Sequence, residues 1–175
     1  WITWFDNPWD PESLTWKLES DSAGVTQLVG QHLPELSGIA AERLLRYVWP
    51  LVWDGQVTYE FFYQDGKSIV HPALGLKAFL LEPSGVTTHD VTNGSWEEAS
   101  FDPLNQSDSG NHVSIASLPL RSGEWNRMTV EISGDVIRLR LNETVIYEFD
   151  IAVSNDRTFG LFHYCDQSEA RVRNV

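Results

Sequence analysis

The chain has one cysteine, Cys165, so it closes no disulfide within itself. At 175 residues it needs none, because a chain of this length buries roughly two thirds of its unfolded surface in one core. A lone thiol between "FHY" and "DQS" reads as a small buried hydrophobe, not a nucleophile. No apolar run approaches the ~20 residues that a membrane-spanning helix takes. Basic residues are scarce: 12 Lys and Arg stand against 25 Asp and Glu, for a formal charge of -13. That balance argues against nucleic acid and against anionic membranes as partners, since both require concentrated Lys and Arg. There is no Ser-centred nucleophile elbow, no His/Cys metal-ligand spacing and no glycine-rich phosphate loop, so serine hydrolysis, zinc and nucleotide chemistry have no anchor. The chain starts at Trp1 and stops at "RVRNV", and is read as a single domain, residues 1–175, of a longer polypeptide.

What is present is aromatic and alternating. Eight Trp, eight Phe and five Tyr accompany 42% hydrophobic residues, a composition that folds. Period-two alternation recurs in short runs punctuated by Gly, Pro, Asp and Asn, and no helical period competes with it. The runs predict strands over Leu14–Leu18, Val25–Val29, Arg43–Trp49, Val57–Tyr63, Ala73–Leu81, "VTTHDVT", Arg157–Tyr164 and Ala170–Val175, with residues 31–41 a loop. Between Glu124 and Asp150 the pattern is clearest. Met128, Val130 and Ile132, then Ile137, Leu139 and Leu141, then Val145, Tyr147 and Phe149 predict the buried faces of a three-strand meander, with Ile146 and Glu148 turned outward. The expectation is an all-β, two-sheet antiparallel jelly-roll sandwich.

The segments "GEWNRMTVEISGDVIRLRLNETVIYEFD", "RTFGLFHY" and "ARVRNV" resemble the C-terminal half of concanavalin A-like lectin and glucanase sandwiches, laminin G-like domains and 3-keto-disaccharide hydrolase-type domains among them. Gly123, Trp125, Asn126, Ile137, Leu141, Asn142, Gly160, Leu161, Arg173, Asn174 and Val175 fill the expected places, and Glu143 stands where Gly is customary, so a different turn is expected there. "DGQVTYEFFYQDG" and "HPALGLKAFLL" are similar to the middle of an uncharacterised bacterial family in that superfamily. These positions carry architecture: Trp125 reads as a core plug, Asn126 and Asn142 as turn residues. The resemblance implies an exported protein, extracellular or periplasmic.

Glucanases of the superfamily carry E-x-D-x-x-E on a strand, and Glu148, Asp150 and Val153 supply only the first two acids. With one of the two working carboxylates lost, retaining hydrolysis loses its chemistry. Glu148 and Asp150 are instead expected to face solvent beside Arg138 or Arg140. A sugar needs less: an aromatic ring to stack on, and planar polar groups for its hydroxyls. Trp53, Tyr59, Glu60, Tyr63, His71, Lys77, His89, Asp90 and Trp96 form the candidate surface, which leads to a non-catalytic carbohydrate-binding or domain-interaction module whose partner is a glycan or a neighbouring domain. The enzyme alternative is glycoside cleavage or keto-glycoside processing by a carboxylate/His set from those residues. No cofactor is expected. A structural Ca²⁺ is conceivable because the stretch between Lys77 and Arg121 holds no basic residue and offers Glu82, Asp90, Glu97, Glu98, Asp102 and Asp108 beside Asn93, Asn105 and Asn111.

Overall fold

Strands with one apolar and one polar face hide the apolar face by stacking sheet on sheet, and this chain does so. A computed structural model describes residues 1–3, 14–91, 107–108 and 117–175, and of Ile39, Ser107 and Asp108 the backbone alone. The first sheet holds β1 (Ile2–Thr3), β4 (Glu42–Pro50), β13 (Thr158–Tyr164), β6 (His71–Leu74), β7 (Lys77–Glu82), β8 (Gly85–Asp90) and β9 (Ser107–Asp108), in that spatial order. The second holds β12 (Thr144–Asp150), β11 (Val136–Leu141), β10 (Glu124–Ser133), β5 (Gly55–Tyr63), β14 (Ala170–Arg173), β3 (Thr26–Gly30) and β2 (Trp16–Ser20). Every strand pairing is antiparallel. Neighbours far apart in sequence, β4 with β13 and β5 with β10, give the jelly-roll its crossovers. Among the described residues no helix is long and apolar enough to cross a membrane.

The core lies between the sheets. Tyr59, Phe61, Met128, Val130, Ile137, Leu139 and Tyr147 from the second sheet meet Leu45, Leu74, Phe79, Leu81, Phe159 and Leu161 from the first. The outer face of the second sheet is wet and laced with charge: Arg138 pairs with Glu148, Arg140 with Glu131, and Arg173 with Glu60. The outer face of the first sheet differs. Leu44, Ala73, Ala78, Leu80, Val91 and Phe162 form a second buried apolar cluster there.

Four sequence expectations are corrected. The run Ala73–Leu81 is two strands, because Gly75 turns the chain at φ +61, and a Cβ there would fall 2.9 Å from Asn155 Oδ1. Ile146 is in the core with Tyr147, since a register shift between Leu139 and Arg140 adds a residue to β12 and rotates it inward. Trp125 is not a core plug: it sits half-buried on the outer face of the second sheet, 5.7 Å from Phe62 and capped by the Arg173 guanidinium at 4.1 Å. Glu143 keeps the turn a Gly would make, with φ +70 after Asn142 at φ +46.

Candidate functional site

Three connections meet at one end of the sandwich: the β5–β6 loop, the β7–β8 turn and the β13–β14 loop. The first and last are stitched by Ile69 N–H to Glu169 O at 3.1 Å and Glu169 N–H to Lys67 O at 3.0 Å. Together they surround an open cleft of about 230 Å³ lined by Tyr63, Asp65, Lys67, His71, Glu82 and Tyr164, with Gln64 and Gln167 at its sides.

His71 opens β6, between β13 and β7, and its Nδ1 accepts the backbone N–H of Leu81 at 2.9 Å. Burial, with smaller repulsions from His163 and His89, lowers its pKa to about 3, so the ring is neutral. Burial also pushes the Tyr164 phenol well above its ordinary range, helped by the nearby Glu42 and Asp166 carboxylates. Tyr63 is raised by burial and by Asp65, whose Oδ1 accepts the Tyr63 hydroxyl at 3.4 Å. The aromatic groups of the cleft therefore stay uncharged, and the formal charges sit on Asp65, Glu82 and Lys67.

Behind the cleft, on the outer face of the first sheet, Phe162 packs between His71 and His89 at ring-centre distances of 6.3 and 5.8 Å, and Tyr164 lies edge-on to Phe162 at 5.0 Å. His89 Nε2 meets Glu42 Oε1 at 2.9 Å, with the Glu42 side chain 2% exposed. The pair anchors the sheet under its apolar cluster.

Among the described residues the sequence candidates do not form one surface. Tyr63 and His71 share the cleft. Tyr59 is fully buried between the sheets against Phe61 and Phe159, so no ligand reaches it. Glu60 faces out from the second sheet, held by Arg173 Nε at 2.7 Å and Asn174 Nδ2 at 3.1 Å. Lys77, at the start of β7, pairs with Asp90 at the end of β8 and lies 5.6 Å from the Phe149 ring, which ties the two sheets together. His89 is buried on Glu42. Trp53 is 82% exposed but precedes β5, so the whole strand, about 30 Å, separates it from Tyr63. Trp96 lies outside the described residues, as do Asn93, Asn105 and Asn111. Among the described residues no three acids, histidines or cysteines converge as a metal site.

Sequence reasoning missed Asp65, Lys67, Tyr164 and Gln167, and named Glu82 only among the Ca²⁺ donors. Asp65 and Lys67 flank the Gly66 turn read only as punctuation, and a cluster of turn-flanking polar residues is a usable signal. Nothing local, however, announces that Tyr164 stands beside His71. That contact arises from β13 pairing with β6.

A profile of the family described as a domain of unknown function, DUF1583_N, matches residues 36–175. The chain belongs to this family. The matched stretch of the DUF1583_N domain runs from β4 to the C-terminal strand and includes every residue that lines the cleft. Among solved structures, the chain is similar to the carbohydrate-binding module CBM66 from Bacillus subtilis, at 14% identity and TM-score 0.54, covering 91% of this chain and 89% of that one. It is also similar to the Caenorhabditis elegans galectin LEC-6, at 12% identity and TM-score 0.45 over 74% and 90%. A third is domain 4 of the extracellular arabinanase AbnA from Geobacillus stearothermophilus in complex with arabinotriose, at 12% identity and TM-score 0.46 over 98% and 80%. No curated protein matches the chain. The fold is a concanavalin A-like sandwich, as the sequence resemblance implied.

Proposed function

We propose that this DUF1583_N domain is a non-catalytic carbohydrate-binding module of a larger, exported polypeptide, and that the cleft beside His71 and Tyr164 is its sugar-contacting surface. The observation that carries the reading is the cleft's composition: tyrosine rings with planar side chains of both hydrogen-bonding senses, on an opening shaped by loops. Support comes also from CBM66, a carbohydrate-binding module of the same architecture. The carboxylate/His set of the enzyme alternative does not assemble, because Glu60 lies on the outer face of the second sheet and His71 and His89 on that of the first.

A domain-interaction role is the second reading. It is favoured by Trp49, Val52, Trp53 and Val153, all exposed in segments next to the far end of the sandwich, where Leu51 N–H bonds Arg157 O and Arg157 pairs with Asp135. The test is retention of the purified domain on a polysaccharide and glycan array, with turnover assayed in parallel. Tyr164→Ala is expected to lose retention and Trp53→Ala to keep it. Loss with Trp53→Ala alone would move the site to the far end, and glycoside turnover abolished by His71→Asn would make the domain an enzyme.

A further inference from the structure

The cleft presents two hydrogen-bond donors that the protein leaves unused. His71 is 6% exposed, and with Nδ1 accepting from Leu81 a neutral ring carries its proton on Nε2. Among the described residues that N–H meets no acceptor, and it is not sealed from the cleft. The Tyr164 side chain lines the same cleft, and its hydroxyl makes no hydrogen bond among the described residues. Burial keeps both groups neutral, so neither attracts an anion as a charge would.

The ligand that satisfies this set is constrained. An anionic sugar would bring its charge against Asp65 and Glu82, opposed by Lys67 alone, on a chain of formal charge -13. A cation would suit the carboxylates but would cover the His71 and Tyr164 donors without offering them acceptors, which costs binding. A neutral polyol answers both, since each hydroxyl accepts from a donor and donates to a carboxylate. The cleft's volume of about 230 Å³ is below the roughly 300–1,000 Å³ of sites that enclose drug-sized ligands. One ring fits that space better than a chain of them.

We infer that the cleft holds a single uncharged sugar ring, one of whose oxygens accepts the His71 Nε2–H. The inference rests on the carbohydrate reading above and adds charge class, size and the positioning donor. The test titrates the domain with glucose, galactose, mannose, fructose, arabinose and xylose, and with galacturonate and glucosamine, by calorimetry and by the ¹⁵N signals of the His71 ring. Two variants separate the ring's nitrogens. His71→Asn places an acceptor near Nδ1 and deletes the donor at Nε2; His71→Gln places a donor near Nε2.

At least one neutral sugar is expected to bind and to shift the Nε2 signal, with galacturonate at least about tenfold weaker than galactose. His71→Asn is expected to lose about tenfold in affinity, the worth of one hydrogen bond, and His71→Gln to stay within about threefold. Tighter binding of galacturonate or glucosamine than of galactose overturns the inference, as does parental affinity in His71→Asn. If a polysaccharide is retained on the array while no sugar of the panel perturbs His71, the inference falls and the carbohydrate reading survives with another site. If nothing saccharide binds in either experiment, both fall.

Discussion

His71 Nδ1 accepts the backbone N–H of Leu81 at 2.9 Å, so a side chain completes a rung that the two residue pairs linking β6 and β7 leave open. An imidazolium could not accept that bond. That added bond between β6 and β7 therefore holds only while the ring is neutral, and the same neutral ring offers its other nitrogen to the cleft.

The first prediction concerns acid. His71 and His163 both have pKa values lowered to about 3 by burial, against 6.5 unperturbed. Below 6.5 the unfolded chain takes up two protons that the folded chain refuses, so stability falls as pH drops from 6.5 toward 3. Linkage puts this at about 2 kcal/mol for each ring at pH 5, about 4 kcal/mol together. Urea denaturation at pH 7.5 and at pH 5 measures it, and His71→Asn should remove about half of the difference. Equal stability at the two pH values would mean the rings are not held neutral.

Asn126 and Asn142 are predicted to be coupled. Asn126 Oδ1 accepts from Arg121 N–H at 2.9 Å and from Asn142 Nδ2 at 2.8 Å, while its Nδ2 donates to Arg121 O and Glu124 O, both at 3.0 Å. Asn142 in turn accepts Arg127 N–H at 3.0 Å and donates to Pro119 O at 2.8 Å. Either Asn→Ala change orphans several polar groups and should cost about 3 kcal/mol. The double variant should cost at least about 1 kcal/mol less than the sum of the singles. Additive losses in a denaturation cycle would deny the network.

That network shows what was legible. The alternation of Met128, Val130, Ile137 and Leu139 reports a buried face directly, because period two is the period of the strand. Asn126 and Asn142 were readable only as turn residues, since spacing cannot tell a turn asparagine from one that crosses to another loop. Trp125 misled for a related reason. Bulk predicts burial, but register places it opposite Phe62, whose neighbours Phe61 and Tyr63 point inward. The cleft was half legible. Tyr63 and His71 stood out as aromatic and titratable, whereas Tyr164 and Gln167 come near them only through the β13–β6 pairing, which no local pattern encodes.

Glu143 holds a left-handed backbone, φ +70, at the second position of a turn whose first position, Asn142, is at φ +46. Two positive φ values in sequence are the requirement of a type I′ hairpin, for which Asn-Gly is the preferred pair. A non-glycine residue there costs about 1–2 kcal/mol, partly offset by the greater freedom of Gly in the unfolded chain. Glu143→Gly should therefore raise stability by about 0.5–1 kcal/mol without changing binding. A loss of stability in thermal or urea unfolding would place a side-chain contact of Glu143 above its backbone strain.

Glu148 and Asp150 are predicted to be dispensable for any chemistry. Glu148 Oε1 lies against Arg138 Nε on the exposed outer face of the second sheet, with Glu131 Oε2 3.5 Å from Arg138 Nη1, and Asp150 is exposed beside them. Val153, where a glucanase would place its second glutamate, is fully exposed in the loop after β12. The glutamate Glu148 thus spends its charge on a neighbouring strand, in a solvated setting where such pairs contribute little and are screened by salt. Glu148→Gln should leave glycan retention unchanged, and should shift the unfolding midpoint by an amount that vanishes in high salt. Loss of retention in that variant would return the sugar site to this strand, and a midpoint shift that persists at high salt would show that the pair is shielded from water after all.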